Sequence, residues 1–171
     1  MKRGLALLAV FLSAAMLCLP AAAQSAEPGG SLAQDMLIKG VVETAVSAMK
    51  ACFALYKEGQ MTFEQAKMLG ANLLRELSYG QDGYFWADTT EGVNVVLYGR
   101  KDTEGRNRLE DKDSLGNFYV KEFLAKAAVG GGYVQYWFPR MGKSQAEPKR
   151  SYVLPFEPFG WVIGTGYYLN S

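Results

Sequence analysis

The stretch RSYVLPFEPFGWVIGTGYYLNS, Arg150 to Ser171, decides the fold of this chain. It contains two runs rich in β-branched and aromatic residues, which predict strands near Arg150–Leu154 and Trp161–Tyr168. In the second run Gly164 and Gly166 share one face, which we expect to let a long helix approach the sheet closely. These glycines lack the GxGxxG spacing, so they do not predict a phosphate-binding loop.

Three further strands are predicted upstream of this stretch. Tyr84–Ala87 is rich in aromatic residues, and Val93–Tyr98 returns from it after the turn residues at 89–92. A third run, Tyr133–Phe138, precedes a loop at 139–148 that contains glycine, lysine and proline. The chain is therefore expected to carry five strands.

Helical periodicity dominates the region before the strands. Apolar residues recur at helical spacing from Ser31 to Glu58, which predicts a helix about 40 Å long at about 1.5 Å per residue. Thr62 followed by Gln65 is a capping box, and it predicts a second helix that ends near Ser78. A shorter helix is predicted at Ser114–Val129. Helices followed by a mostly antiparallel run of strands indicate an α+β fold.

The second predicted strand has two faces of different character, because successive side chains of a strand point to opposite sides. The aliphatic face is expected to pack on the long helix, and it consists of Val93, Val95 and Leu97. The mixed face is expected to line a cavity, and it consists of Asn94, Val96 and Tyr98.

Four motifs together resemble the single Cache domain of the second type: GYFWAD at 83–88, GGGYVQYW at 130–137, KRSYV at 149–153 and FGWVIGTGYY at 159–168. On this resemblance we assign residues 31–171 to one Cache-like ligand-binding domain. It implies a PAS-like α+β fold, with the long N-terminal helix packed on a five-stranded, mostly antiparallel sheet. In most members a membrane helix and a signalling module follow. This chain stops at Ser171, and we expect a binding unit without its own transmitter.

The pocket of the resembled family lies between the sheet and the segment that covers its other face, and members bind small organic molecules, often short carboxylates. A carboxylate needs a cation and hydroxyl or amide donors, since charge-assisted hydrogen bonds are roughly twice as strong as neutral ones. The candidate ligand-binding residues are Lys149, Arg150 and Arg100 for charge, Tyr98, Tyr136 and Tyr152 for hydroxyls, and Tyr84 and Trp86 for an aromatic wall. The alternatives are ordinary sheet packing for the aromatic residues and solvated charge for the cations. The charged run 106–113 is expected to be a solvated loop.

One position departs from the resembled family. Many members carry a His-Pro pair at the end of the second strand, where this chain has Tyr98-Gly99. If that histidine contacts the ligand, a tyrosine there would change the ligand class or abolish binding.

The N-terminus has the parts of a secretory signal peptide. Lys2 and Arg3 precede an apolar run, Leu5 to Leu19, which is shorter than the roughly 20 residues of a membrane helix. We expect a cleaved signal peptide at 1–23, a mobile leader at 24–30, and a periplasmic or secreted protein without a membrane span. A retained anchor is the alternative.

Composition excludes several classes of protein. The chain has no histidine, which excludes Ser-His-Asp and Cys-His catalytic sites, His-ligated zinc and c-type haem attachment. Cleavage would leave Cys52 as the one cysteine, so no intramolecular disulfide is expected, and its place in an apolar helical stripe predicts that it is buried. Without Lys2 and Arg3 the 18 basic residues become 16, against 17 acidic ones. This nearly neutral charge does not predict binding to nucleic acid. No metal and no cofactor are predicted.

The leading hypothesis is a sensory module that binds a small organic acid or similar metabolite and signals through a partner such as a membrane receptor or kinase. The alternative is an interaction or docking protein that keeps the fold while its own side chains, Tyr98 for example, fill the pocket. An enzyme is not predicted. Turn and cap roles explain Asp82, Asp88 and Glu91 near the first hairpin, and no carboxylate pair has the spacing for acid–base work.

Overall fold

A 26-residue helix, α1 (Leu32–Lys57), forms one layer of the structure. The computed structural model describes residues 31–170. The second helix, α2 (Phe63–Glu76), begins at the predicted capping box. There Thr62 Oγ1 accepts a hydrogen bond from Gln65 N at 3.2 Å, and Gln65 Oε1 accepts one from Thr62 N at 2.8 Å. The sequence-based prediction of this helix start is confirmed.

The strands of the described residues form two sheets. β1 (Ser78–Tyr79) and β2 (Gly83–Tyr84) make a short hairpin. The main sheet has five strands in the order β4-β3-β7-β6-β5, and each neighbouring pair is antiparallel. Its strands are β3 (Trp86–Thr89), β4 (Asn94–Leu97), β5 (Gly132–Pro139), β6 (Ala146–Phe156) and β7 (Trp161–Tyr168). The predicted α+β fold, a long helix on a five-stranded antiparallel sheet, is confirmed.

Different helices cover the two faces of the main sheet. On the first, which we call the α1 face, Ile38, Val42 and Met49 of α1 pack in one cluster with Ile163 of β7. Cys52 belongs to this cluster and is 2% exposed, as predicted. The opposite face, the α3 face, is covered by the third helix, α3 (Tyr119–Ala128), through a separate apolar cluster.

A β-bulge in β4 changes which of its side chains point to each face. Ala87 pairs with Val96 but Asp88 pairs with Asn94, so Val95 is an extra residue. Val96 therefore belongs to the α1-face cluster and Leu97 to the α3-face cluster. The face predictions for Val96 and Leu97 were wrong because strict alternation does not continue through a bulge.

Helix α3 is shorter than predicted. It begins at Tyr119 instead of Ser114, because the side chain of Asp113 binds the backbone of the residues just before Tyr119. Asp113 Oδ1 accepts hydrogen bonds from the backbone N–H groups of Leu115 and Asn117, both at 2.9 Å. Such side-chain to backbone bonds compete directly with helix formation.

Two of the predicted strands have different bounds. The strand expected at Tyr84–Ala87 is divided between β2 and β3. The strand expected at Arg150–Leu154 extends to Ala146–Phe156, because it pairs with β5 on one side and β7 on the other. Pairing of residues 146–148 with β5 outweighs the turn propensity of this part of the expected loop.

The glycines of β7 lie on the α3 face of the sheet. The prediction that they allow the long helix α1 to approach closely was therefore wrong. Gly164 pairs with Trp86, and a Cβ at Gly164 would overlap the Trp86 indole. Gly166 lies against Ser151 of β6 in the same way. The glycines allow the side chains of neighbouring strands to lie flat beneath α3.

Gly164→Ala is expected to destabilise the fold by roughly 1–3 kcal/mol, because the added methyl group overpacks the site beside Trp86. Thermal unfolding followed by circular dichroism should show a midpoint lowered by several degrees. Gly40→Ala is the control, since its Cβ has nothing within 4 Å and alanine favours a helix by roughly 0.5–1 kcal/mol. An unchanged midpoint for Gly164→Ala would contradict this packing.

The predicted signal peptide, 1–23, and leader, 24–30, lie outside the described residues. Within residues 31–170, no helix combines the length and the apolar character that a membrane span requires.

Candidate functional site

A small cavity lies between the α3 face of the sheet and helix α3. Its volume is about 10 Å³, which is the space that one water molecule occupies. We call it the inner cavity, and it is lined by Tyr84, Trp86, Leu97, Arg108, Phe123, Tyr136 and Phe138. Aromatic rings make most of this wall, and Arg108 supplies a cation.

Lys149 of β6 adjoins the inner cavity and is buried, at 1% exposure. Its Nζ donates a hydrogen bond to the Tyr84 hydroxyl at 2.7 Å. It lies 4.2 Å from the centre of the Tyr84 ring, 5.0 Å from that of Tyr168 and 5.6 Å from that of Phe138. Burial lowers the pKa of Lys149 to about 8. Among residues 31–170 no carboxylate lies within ion-pair distance of Nζ, so this ammonium has only neutral partners there.

The second buried cation, Arg108, does have a counter-ion. Its Nη1 donates to both carboxylate oxygens of Asp88, at 3.0 and 3.2 Å, and its Nη2 donates to the Tyr119 hydroxyl at 3.2 Å. Asn94 Nδ2 also donates to Asp88 Oδ1, at 2.8 Å. Burial raises the pKa of Asp88, and the nearby Arg108 opposes that rise. This network holds the guanidinium at the wall of the inner cavity.

Two further N–H groups of the lining have no hydrogen-bond partner within the described part of the chain. They are Trp86 Nε1 and Arg108 Nε, although an oxygen of Asp111 lies 3.6 Å from the latter. Buried donors are nearly always satisfied in native proteins, and an exception calls for an explanation such as a missing water or ligand. The lining of the inner cavity therefore has more hydrogen-bond donors than the described residues satisfy.

Four of the predicted site residues come together here. Tyr84, Trp86 and Tyr136 line the inner cavity, and Lys149 bonds to Tyr84. The Tyr136 hydroxyl lies 3.1 Å from Ser151 Oγ, and burial raises the pKa of Tyr136 well above its ordinary value.

Two predicted residues, Tyr98 and Arg100, lie just outside the inner cavity. Tyr98 is 40% exposed and stacks on Tyr84, with ring centres 5.9 Å apart. It borders a wider groove of about 410 Å³ that also includes Arg140 and Lys143, and we call this the outer groove. The Arg100 guanidinium lies 5.2 Å from the centre of the Phe138 ring. The docking hypothesis gives Tyr98 as an example of a side chain that fills the pocket. Tyr98 does not fill the inner cavity.

The last two predicted residues, Arg150 and Tyr152, lie on the α1 face, away from the other candidates. Arg150 Nε donates to Asp35 Oδ1 at 2.9 Å, which ties β6 to the first turn of α1. Tyr152 packs on Tyr133, with ring centres 4.7 Å apart. Strand alternation explains the separation, because Lys149 and Arg150 are consecutive and cannot share a face. We leave Arg150 and Tyr152 out of the site proposed below.

Sequence reasoning missed the Asp88–Arg108 pair. Asp88 was assigned a turn or cap role, and Arg108 belonged to a run expected to be solvated, but they are 0% and 3% exposed. The available signal was Asp88 itself, which follows the aromatic run that ends at Trp86. A carboxylate on a strand that is expected to be buried requires a partner. Nothing local indicated that the partner would come from the loop.

Comparison with known proteins agrees with this architecture. A family described as single Cache domain 2 matches residues 31–171. The sensor histidine kinase MctS of Rhizobium johnstonii is 34% identical over 124 residues, which are 72% of this chain and 27% of that protein. The methyl-accepting chemotaxis protein McpP of Pseudomonas putida is 29% identical over 134 residues, which are 77% of this chain and 24% of that protein. The chain thus spans about a quarter of the length of these curated relatives.

Two solved structures share the fold. One is a Cache chemosensory domain described for its recognition of carboxylic acid. It is 31% identical, with a TM-score of 0.78, and the match covers 80% of this chain and 94% of that one. The other is the periplasmic sensor domain of a chemotaxis protein. It is 28% identical, with a TM-score of 0.76, and the match covers 80% of this chain and 95% of that one. The resemblance seen in the sequence motifs is confirmed.

Proposed function

The chain belongs to the single Cache domain 2 family, and from that membership we propose that it binds a small organic carboxylate outside the cytoplasm. Similar domains occur in a sensor histidine kinase and a chemotaxis protein. We propose that the bound state is passed to a partner of that kind, a kinase or a chemoreceptor, and that no chemical reaction follows binding.

The single observation that carries this proposal is the buried Lys149, which has no counter-ion among residues 31–170. A buried ammonium is costly unless it is paired, and natural proteins retain such groups chiefly at functional sites. A ligand carboxylate would supply the missing charge. It would also offer about four acceptor positions, enough for Lys149 Nζ and the unsatisfied N–H groups of Trp86 and Arg108.

The surrounding charge favours an anion over a neutral ligand. Arg100 and Arg140 both add to the burial effect that lowers the pKa of Lys149, so positive charge converges on this part of the sheet. Arg140 is paired with Glu147, with Nε 3.0 Å from Oε1. No described carboxylate neutralises Lys149 or Arg100 in the same way. A monoanion therefore gains electrostatic energy that a neutral analogue of the same shape does not.

The extracytoplasmic location rests on the N-terminal sequence and on a structural relative. Residues 1–23 have the pattern of a cleaved signal peptide, and one similar solved structure is a periplasmic sensor domain. We propose a periplasmic or secreted location. N-terminal sequencing of the protein recovered from the periplasmic fraction should find Gln24 first.

Ligand-induced stabilisation tests the proposed function. Short carboxylates, amino acids, amines and purines would each be added to the purified protein, and thermal unfolding recorded. A ligand at 100 times its dissociation constant should add about 2.7 kcal/mol of stability, a shift of several degrees. We expect stabilisation by carboxylates and none by amines. A panel without any stabilising carboxylate would refute the proposal.

Carboxylate affinity is expected to depend on pH in a direction set by Lys149. Its pKa in the free protein is about 8, so below that pH the ammonium is present and the affinity should be nearly constant. Above it the amine must take up a proton to bind, and the dissociation constant should rise by up to about tenfold per pH unit. Calorimetric titrations between about pH 6 and about pH 9.5 would measure the profile. An affinity that rises with pH in this range would contradict the role of Lys149.

A docking protein remains the second candidate, and one observation favours it. The inner cavity of about 10 Å³ is nearly filled by the protein's own side chains, as the docking hypothesis required, although Phe123 fills it and Tyr98 does not. The two functions differ in their dependence on Lys149. Two results together would favour docking. No carboxylate would stabilise the protein, and Lys149→Met would bind the partner as well as wild type does.

A further inference from the structure

We propose that Phe123 of helix α3 is the residue that limits the size of the ligand's apolar part. The inference rests on the proposed function, because it concerns the same cavity and the same carboxylate. The volume of the inner cavity is smaller than that of an organic acid. The inner cavity holds about one water at 10 Å³, so any organic acid must displace part of its wall.

Most of that wall cannot move without breaking the sheet. Leu97 lies in β4, and Tyr136 and Phe138 lie in β5. Trp86 lies in β3, which pairs with β4 on one side and β7 on the other. Backbone hydrogen bonds of these strands fix the positions from which these side chains project. Tyr84 lies in β2, which pairs with β1, and its hydroxyl accepts a hydrogen bond from Lys149. Arg108 is in a loop, but its buried ion pair with Asp88 fixes it.

Phe123 is the one residue of this lining that lies on a helix. At the N-terminus of α3 no side chain caps the backbone N–H groups. Helix α3 is attached to the sheet by side-chain packing instead of a backbone ladder. Local opening of the structure is cheapest at such elements.

The Phe123 ring occupies the space that a carbon chain would need. It stacks on Trp86, with ring centres 4.3 Å apart, and meets Tyr136 edge-on at 5.0 Å. A carbon chain that extends from a carboxylate on Lys149 into the inner cavity must push this ring outward, and α3 with it. A longer chain requires a larger displacement. Since one methylene group in an apolar pocket changes affinity by about 10–200-fold, we expect a sharp limit on chain length.

A chain-length series tests this role. Acetate, propionate, butyrate, pentanoate and hexanoate would be titrated calorimetrically into the wild-type protein, Phe123→Leu and Phe123→Ala. We expect the wild-type affinity to fall at least about tenfold per methylene beyond its optimum. Phe123→Ala should move the optimum to a longer acid and bind hexanoate at least about tenfold more tightly than wild type does. Phe123→Leu should be intermediate, and it keeps the test valid if the alanine variant fails to fold.

Val120→Ala is the matched control, because Val120 is buried on the same helix but does not line the inner cavity. It should leave the order of acids unchanged. The inference is overturned if both Phe123 variants keep the wild-type order, or if Val120→Ala shifts it equally. If the wild-type protein binds none of the acids, the proposed function itself fails, and that result is distinct from an unchanged order.

Discussion

Lys149→Met is expected to abolish carboxylate binding while leaving the unliganded protein as stable as wild type, or more stable. Removing one partner of a buried, hydrogen-bonded charge pair costs about 2–5 kcal/mol of binding free energy, and the lower bound is about 30-fold in affinity. Burial lowers the pKa of Lys149 to about 8, so the ammonium is less stable in this site than it would be in water. Methionine has a similar length and no charge to desolvate. The lost hydrogen bond to Tyr84, worth about 1 kcal/mol, offsets only part of that gain.

The control for Lys149→Met is Lys143→Met. Lys143 is exposed and borders the outer groove, which has the larger volume. Calorimetry and thermal unfolding of both variants separate three outcomes. Binding lost only in Lys149→Met supports the inner site, whereas binding lost only in Lys143→Met would move the site to the outer groove. A large fall in the unfolding midpoint of Lys149→Met would indicate a structural role for this lysine.

Asp88→Asn is expected to have the largest effect on stability. Asp88 and Arg108 are 0% and 3% exposed, and breaking such a buried pair costs about 3–5 kcal/mol because an unpaired charge remains. The unfolding midpoint should fall by roughly 10 °C or more. Asp111, with its oxygen 3.6 Å from Arg108 Nε, is too exposed to replace Asp88.

The double variant Asp88→Asn/Arg108→Gln is the control for this prediction. It removes both charges, so it should recover much of the stability lost in Asp88→Asn. Chemical denaturation of the wild type, both single variants and the double variant completes the cycle. A double variant that is less stable than Asp88→Asn alone would show that the pair is not the source of the effect.

Residue patterns predicted the α+β class, and the family resemblance supplied the packing of the long helix on the sheet. Helical periodicity located α1, the Thr62 capping box located α2, and alternating aromatic runs located most of the main sheet. The start of α3 failed for a local reason, because the Asp113 side chain binds the backbone of the turn before that helix. The bounds of β6 failed because pairing with two neighbouring strands extends it, which local propensity does not show.

Four residues of the proposed site were predicted from the family resemblance together with the groups that a carboxylate ligand requires. They are Tyr84, Trp86, Tyr136 and Lys149. Arg108 could not be found, because it comes from a charged loop and is placed by a partner twenty positions away in sequence. Phe123 was visible only as an apolar helix residue, since its importance comes from the volume of the cavity that it closes.

One calorimetric experiment tests whether Lys149 binds the carboxylate of a ligand. Propionate and its neutral amide, propionamide, would be titrated at the same pH into the wild-type protein and Lys149→Met. We expect saturable binding of propionate to the wild type, at least about 30-fold weaker binding of propionamide, and no binding of either to Lys149→Met. Equal affinity for the acid and the amide, or propionate binding that survives in Lys149→Met, would contradict this role of Lys149.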